Sequence, residues 1–194
     1  MNKRPAIFLD RDGVIIEEVN YLSHPNQVKL IPGSAKAIQT LNTLGIPVII
    51  VSNQAGVAKG YFPITQIPLV HAKLSQLLAQ ENAHADAIYY CPHHSEGSVP
   101  EYSFKCKCRK PEPGMLLEAK EKLNLNLTQS WLIGDNITDM EAAAKVGCNS
   151  ILVQTGHGKQ FANCPLPNGT VRKTDLLEAV NFILLSPSSL GCCA

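Results

Sequence analysis

No stretch of this chain reaches the roughly 18 consecutive apolar residues that a membrane-spanning helix needs. The opening, MNKRPAIFLDRDG, has an apolar run of only Ala6 to Leu9, too short for the core of a secretory leader. A cytoplasmic protein with no membrane partner is therefore expected. An excess of one charge is missing too: 17 Lys and Arg stand against 16 Asp and Glu, for a net charge of +1. That balance, with no basic stripe, excludes the long-range field of a nucleic-acid binder. Any anion must be held by a local group of side chains. Internal repeats and low-complexity segments are absent as well. Finally, the cysteine count is odd. Seven cysteines cannot all pair, and in a reducing compartment a close-spaced set reads as a metal site rather than a disulfide framework.

What remains is an ordinary globular composition, 45% hydrophobic and 17% charged over 194 residues. A chain of this length buries roughly 70% of its unfolded surface, enough for a core without staples. Short continuous apolar runs recur at 6–9, 47–51, 87–90, 130–133 and 150–153. They read as strands buried on both faces. Between them, helical spacing predicts helices over 34–44, 67–83, 114–123, from a capping box at Thr138 to Gly147, and over 175–185. The stretch 155–173 reads as loop. Strand alternating with helix predicts an α/β fold: a Rossmann-like parallel sheet with helices on both faces. No segment is long enough for a large cap domain, so any lid is made of loops. Residues 1–185 are expected to form one domain, and 186–194 a disordered tail containing Cys192 and Cys193.

In open α/β sheets, ligands bind outside the carboxyl ends of the strands. Four predicted strands end on polar groups: Asp10-Arg11-Asp12-Gly13, Ser52-Asn53-Gln54, a Cys/His loop leading to Arg109-Lys110, and Gly134-Asp135. Taken singly, each is a common turn. Together they are chemically complementary. Asp10, Asp12 and Asp135 make a hard oxygen set suited to Mg²⁺. Ser52 and Lys110 suit phosphoryl oxygens. A carboxylate beside Mg²⁺ is also a competent nucleophile toward phosphorus.

The loop 91–108 has its own chemistry. Cys91-x-His93 and Cys106-x-Cys108 are separated by twelve residues. Three cysteines and a histidine make a closed tetrahedral shell for structural Zn²⁺, with His94 as the alternative to His93.

The runs FLDRDGVI, VSNQAGVAKG, CRKPEPGM and GDNITDMEAA, in that order, resemble the four motifs of the haloacid dehalogenase (HAD) superfamily of phosphotransferases. The loop CPHH…CKCRKP narrows the resemblance to its zinc-loop phosphatases, those of heptose bisphosphate and of histidinol phosphate. The likeness spans roughly residues 5–158. It implies that Asp10 attacks phosphorus and becomes an aspartyl-phosphate, and that Asp12 serves as general acid and then base. Asp10, Asp135 and the main-chain carbonyl of Asp12 would hold Mg²⁺. Ser52 and Lys110 would stabilise the phosphoryl group. Arg109 would recognise the rest of a small sugar bisphosphate, with Glu18, Tyr21, Asn53 and Gln54 as further substrate contacts. The pattern favours His93 as the fourth zinc ligand. The expected activity is removal of the 7-phosphate of D-glycero-D-manno-heptose 1,7-bisphosphate by a monomeric enzyme; histidinol phosphate is the alternative substrate.

Two positions depart from the pattern. Val14 stands where many members carry Thr, and Asn136 where many carry a second Asp. Asp139, one helical turn further on, is placed to act through the metal ligands rather than as one. Arg11 reads as a scaffold contact. His24, His71, His84 and His157 read as isolated histidines, and Cys148 and Cys164 as ordinary thiols.

Overall fold

The computed structural model describes residues 3–186. The tail expected to be disordered, with Cys192 and Cys193, lies beyond them apart from Ser186. Six strands form one sheet: β1 (Ile7–Leu9), β2 (Val48–Asn53), β3 (Ala87–Cys91), β4 (Trp131–Gly134), β5 (Asn149–Val153) and β6 (Val171–Lys173). Their order is β3-β2-β1-β4-β5-β6, and every adjacent pair is parallel. Leu9 sits opposite Ile50 on one side and Ile133 on the other. The chain thus winds outward from β1 in both directions, and a crevice opens beyond its carboxyl end.

The helices are α1 (Ser34–Thr43), α2 (Ala55–Ala58), α3 (Gln66–Gln80), α4 (Gly114–Leu123), α5 (Ile137–Ala144) and α6 (Leu176–Leu185). Side-chain alternation along each strand decides which helices it meets. Ile7, Leu9, Ile50, Ile133 and Ile151 pack with Ile38 and Leu41 of α1, Leu74 of α3 and Val180 of α6. Phe8, Ile49, Val51 and Leu132 turn the other way, onto Met115, Leu116 and Ala119 of α4 and Ala142 and Ala143 of α5. Both faces are covered, so the strands read as unbroken apolar runs. Each fully buried Ile or Leu contributes roughly 1.5–3 kcal/mol.

Three sequence expectations need correction. Helix α3 stops at Gln80 rather than near Ala83, because Asn82 takes a left-handed conformation with φ of 55°. The capping box of α5 is built two residues earlier than expected. Asn136 accepts the N–H of Thr138 at 3.2 Å, and Asp139 accepts the N–H of Asn136 at 3.2 Å. An amide caps a helix as well as a carboxylate does, which accounts for Asn136 here. Lastly, the segment expected as loop contains β6, whose three residues are too few to show alternation.

Candidate active site

The polar strand ends converge. Asp10 follows β1, and Asp135 follows β4. Asp139 lies in the first turn of α5. One carboxylate oxygen from each lies within 4.8 Å of the others. Lys110 joins them from the loop before α4: its Nζ is 3.1 Å from Asp10 Oδ1, 2.6 Å from Asp139 Oδ1 and 2.7 Å from the carbonyl of Val51. Burial opposes the charge of Lys110, but Asp10 and Asp139 outweigh it and hold the ammonium above its ordinary range. The Asp10 carboxyl is pushed well up. Burial is the main cause, opposed by Lys110 and reinforced by Asp139, Asp135 and Asp12. Burial also raises Asp135 to about 6, although its Oδ2 accepts the N–H of His157 at 2.7 Å.

Asn53 fixes Lys110 from below. Its amide accepts the N–H of Lys110 at 3.0 Å and donates to that residue's carbonyl at 2.9 Å. Asn53 borders the cleft, yet its amide is committed to the lysine's backbone. Asp12 stands apart from the three clustered carboxylates. Its oxygens are held by Arg11, by Gln54 Nε2 at 2.9 Å and by Ser52 Oγ at 3.5 Å. Ser52 is buried and also receives Gln54 Nε2 at 2.7 Å.

The loop after β5 backs this arrangement. Thr155 donates to the carbonyl of Gly13. Gly13 and Gly156, both at positive φ, pack against the Asp135 carboxylate so closely that a Cβ on either would collide with it. Sequence reasoning treated His157 as isolated. The structure instead puts its backbone on Asp135 and its ring at the cleft, Nε2 3.9 Å from Glu18 Oε1.

The cleft has a volume of about 480 Å³. Asp10, Asp12, Glu18, Tyr21, Asn53, Gln54, Arg109, Lys110 and Asp135 all border it, whereas Ser52 does not. Burial, followed by the nearby charge of Asp12, raises the carboxyl of Glu18. Lys59, Phe62, His94 and Thr138 border the cleft as well. Lys59 donates to the Tyr21 hydroxyl at 2.6 Å. None of these four was expected at the cleft, His94 having been read as an alternative zinc ligand and Thr138 as a helix cap, because none directly follows a predicted strand.

Cys91, His93, Cys106 and Cys108 come together from β3 and the following loop. Cys91 Sγ lies 3.4 Å from Cys106 Sγ and 3.2 Å from Cys108 Sγ. His93 Nδ1 is 3.5 Å from Cys91 Sγ and 3.4 Å from Cys108 Sγ. A tetrahedral cation with bonds of about 2.3 Å sets its sulfur ligands about 3.7 Å apart, so the four donors enclose a site of that size, slightly contracted. His94 is not among them; its Nδ1 accepts the N–H of Glu96 at 3.1 Å. The cluster grips the neighbouring arginine. The N–H of Arg109 points to Cys106 Sγ at 3.4 Å, and its guanidinium donates to the carbonyl of His93 at 3.2 Å.

A buried carboxylate group with one lysine at the switch point of a parallel sheet is suited to phosphoryl chemistry. Comparison with known proteins agrees. The HAD-hydrolase-like family matches residues 107–176. The chain is 37% identical to the D-glycero-beta-D-manno-heptose-1,7-bisphosphate 7-phosphatase of Pseudomonas aeruginosa, over 93% of this chain and 98% of that one. With the enzyme of the same name from Escherichia coli K12 it shares 42% identity over 78% and 80% of the two chains. A crystal structure of D,D-heptose 1,7-bisphosphate phosphatase from B. bronchiseptica, complexed with magnesium and phosphate, superposes with a TM-score of 0.84 at 35% identity, covering 93% and 98%. The fold is thus that of the HAD-like class, and the chain is a phosphoric monoester hydrolase. Within that class, the chain belongs to the family of the heptose-bisphosphate 7-phosphatases.

Proposed function

We propose that this chain hydrolyses the 7-phosphate of D-glycero-D-manno-heptose 1,7-bisphosphate through an aspartyl-phosphate, in the making of nucleotide-activated heptose for lipopolysaccharide or a related glycan. The observation that carries the chemistry is the placement of Asp10 against a fully buried lysine at the floor of a polar cleft. Asp10 forms the new bond to phosphorus while the ester oxygen departs with a proton from Asp12. A water then attacks the aspartyl-phosphate and yields its proton to Asp12, which releases phosphate and restores Asp10. One acid/base group serves both halves. Lys110 neutralises the transferring group, and Ser52 supports it. Arg109 takes the second phosphate, with Glu18, Tyr21 and Gln54 along the sugar.

The carboxylate group fits a divalent cation. Three acids face one lysine, which leaves two negative charges unmatched in a buried setting. Their oxygens are the hard donors that Mg²⁺ prefers. Asp10, Asp135 and the main-chain carbonyl of Asp12 would hold it, since Asp139 makes the closer contact with Lys110, 2.6 Å against 3.1 Å for Asp10. Bound there, Mg²⁺ supplies charge neutralisation at the phosphoryl oxygens. Zn²⁺ fits the closed Cys₃His set as a structural ion. No helix among the described residues is long and apolar enough to cross a membrane, and we take the enzyme to work as a cytoplasmic monomer.

A phosphate-release panel with Mg²⁺ tests the reading: both anomers of the heptose bisphosphate, fructose 1,6-bisphosphate and histidinol phosphate. The heptose bisphosphate should lead by at least tenfold in kcat/KM. Relatives at 37–42% identity are named for that sugar, which disfavours histidinol phosphate; a lead for histidinol phosphate would reverse the assignment. Asp10→Asn should retain the fold and lose turnover, because the amide has the size but not the nucleophilic charge.

A further inference from the structure

Lys59 shares the wall of the cleft with Arg109, and among the described residues neither cation forms an ion pair with a carboxylate. Lys110 at the floor differs, being matched by Asp10 and Asp139. The two wall cations are held by neutral acceptors instead. Lys59 Nζ donates to the Tyr21 hydroxyl at 2.6 Å, and Arg109 Nη1 donates to the carbonyl of His93 at 3.2 Å. Tyr21 takes a φ of 59°, a left-handed conformation uncommon for an aromatic residue. Its hydroxyl holds the ammonium above its ordinary range, although the charge of Arg109 opposes this. Two like charges are thus kept close together at one wall, a repulsion that an anion bound against both would relieve.

The backbone beneath Lys59 is fixed by the loop that carries the Cys/His cluster. The N–H groups of Ser98 and Val99 donate to the carbonyl of Ala58 at 2.7 and 2.9 Å, and Ser98 Oγ donates to the carbonyl of Lys59 at 2.9 Å. Gly97 lies so close that a Cβ on it would stand 2.6 Å from the Ala58 carbonyl oxygen. Arg109 is held at the other end of the same loop, by Cys106 and His93. One loop therefore sets the positions of both cations. We infer that Lys59 is a specificity-determining residue, which holds the non-reacting phosphate of the substrate together with Arg109. The inference rests on the bisphosphate reading above. A phosphate monoester carries a charge of about −1.5 to −2 near neutral pH. Arg109 offers one positive charge, and the neighbouring cysteines share part of it. Lys59 supplies the second, as a point charge beside the arginine fork.

The test compares kcat/KM of the Mg²⁺-loaded enzyme on D-glycero-D-manno-heptose 1,7-bisphosphate and on the 7-phosphate of the same sugar, which lacks the second group. Lys59→Met should lose about 10- to 10²-fold on the bisphosphate, through KM rather than kcat, and less than about threefold on the monophosphate. Lys59→Arg keeps a cation and should return the bisphosphate to within about threefold of the wild type. The heptose 1-phosphate product retains the same phosphate, so its inhibition constant should rise about 10- to 10²-fold in Lys59→Met. Equal losses on the two substrates, or a Lys59→Arg variant no better than Lys59→Met, would overturn the inference. Arg109→Ala separates the two layers. A preference for the bisphosphate that is lost in Arg109→Ala but intact in Lys59→Met removes only the inference, whereas a wild-type enzyme that treats both substrates alike removes the bisphosphate reading and the inference with it.

Discussion

Lys110 and Asp139 meet at 2.6 Å, Nζ to Oδ1, with side chains only 1% and 0% exposed. The ammonium needs that partner. Buried beside Asp10 alone, it would lack the second carboxylate that offsets its lost hydration. Asp139 thus fixes the ammonium that the proposed mechanism sets against the phosphoryl group, and through the N–H of Asn136 it also starts α5.

Asp139→Asn should therefore cost both stability and rate. Removing one partner of a buried pair is expected to destabilise the fold by about 3 kcal/mol. kcat should fall more than KM rises, because Lys110 acts on the group in transfer. Urea unfolding and steady-state kinetics on the heptose bisphosphate measure the two effects. A variant that matches the wild type in both would show that Asp10 and the Val51 carbonyl hold Lys110 unaided.

Arg109→Ala should weaken a bisphosphate substrate more than a monophosphate, by roughly tenfold or more in kcat/KM, because a guanidinium recognises the phosphate that does not react. Lys110→Ala should damage both substrates alike. Matching losses for the two substrates in the Arg109 variant would contradict this division of labour.

Cys106→Ser should lose zinc and raise KM. The cluster holds Arg109 through a backbone N–H and a guanidinium contact. Displacing such a group by about 1 Å can cost about 10²-fold in rate. Elemental analysis should find about one zinc per wild-type chain and much less in the variant. Full activity in a zinc-free wild-type protein would refute the structural role.

His71 should make the fold acid-sensitive. Burial, aided by the charge of Arg11, lowers its pKa from 6.5 to about 4. The unfolded chain then takes up the proton first. The stability linked to neutral His71 is full above pH 6.5 and is lost as the pH falls toward 4, a change of about 3 kcal/mol. His71→Leu should flatten that part of the stability curve between pH 7 and 4.5. Parallel curves for variant and wild type in urea titrations would clear His71 of the effect.

Much of this molecule was legible in one dimension. Strands buried on both faces must be apolar throughout, so AIFL, PVIIV and SILV announced a parallel sheet. The rule that ligands sit beyond strand ends then marked Asp10, Ser52, Lys110 and Asp135. Two pairs of zinc-type donors twelve residues apart pointed to the Cys/His cluster, because zinc coordination is a short-range constraint on spacing. Asp12 and Asp135 were named, but not what holds them.

Those partners come from the tertiary structure. The contact of Asp135 with His157 spans 22 positions, and that of Thr155 with Gly13 spans 142; no local periodicity encodes either. Arg11 adjoins Asp12 in the chain, yet adjacency alone does not turn a guanidinium onto a carboxylate. That requires Arg11 to be sealed from water, so that its charge must be satisfied inside the protein. The choice of His93 over His94 is likewise a matter of ring direction, fixed once β3 delivers Cys91 to Cys106 and Cys108. Composition and spacing determined which chemical groups this protein carries and at which edge of the sheet they gather. The strand register, the close glycine contacts and the burial of charge decided which of them touch, because those depend on distances that exist only after the sheet has closed around its core.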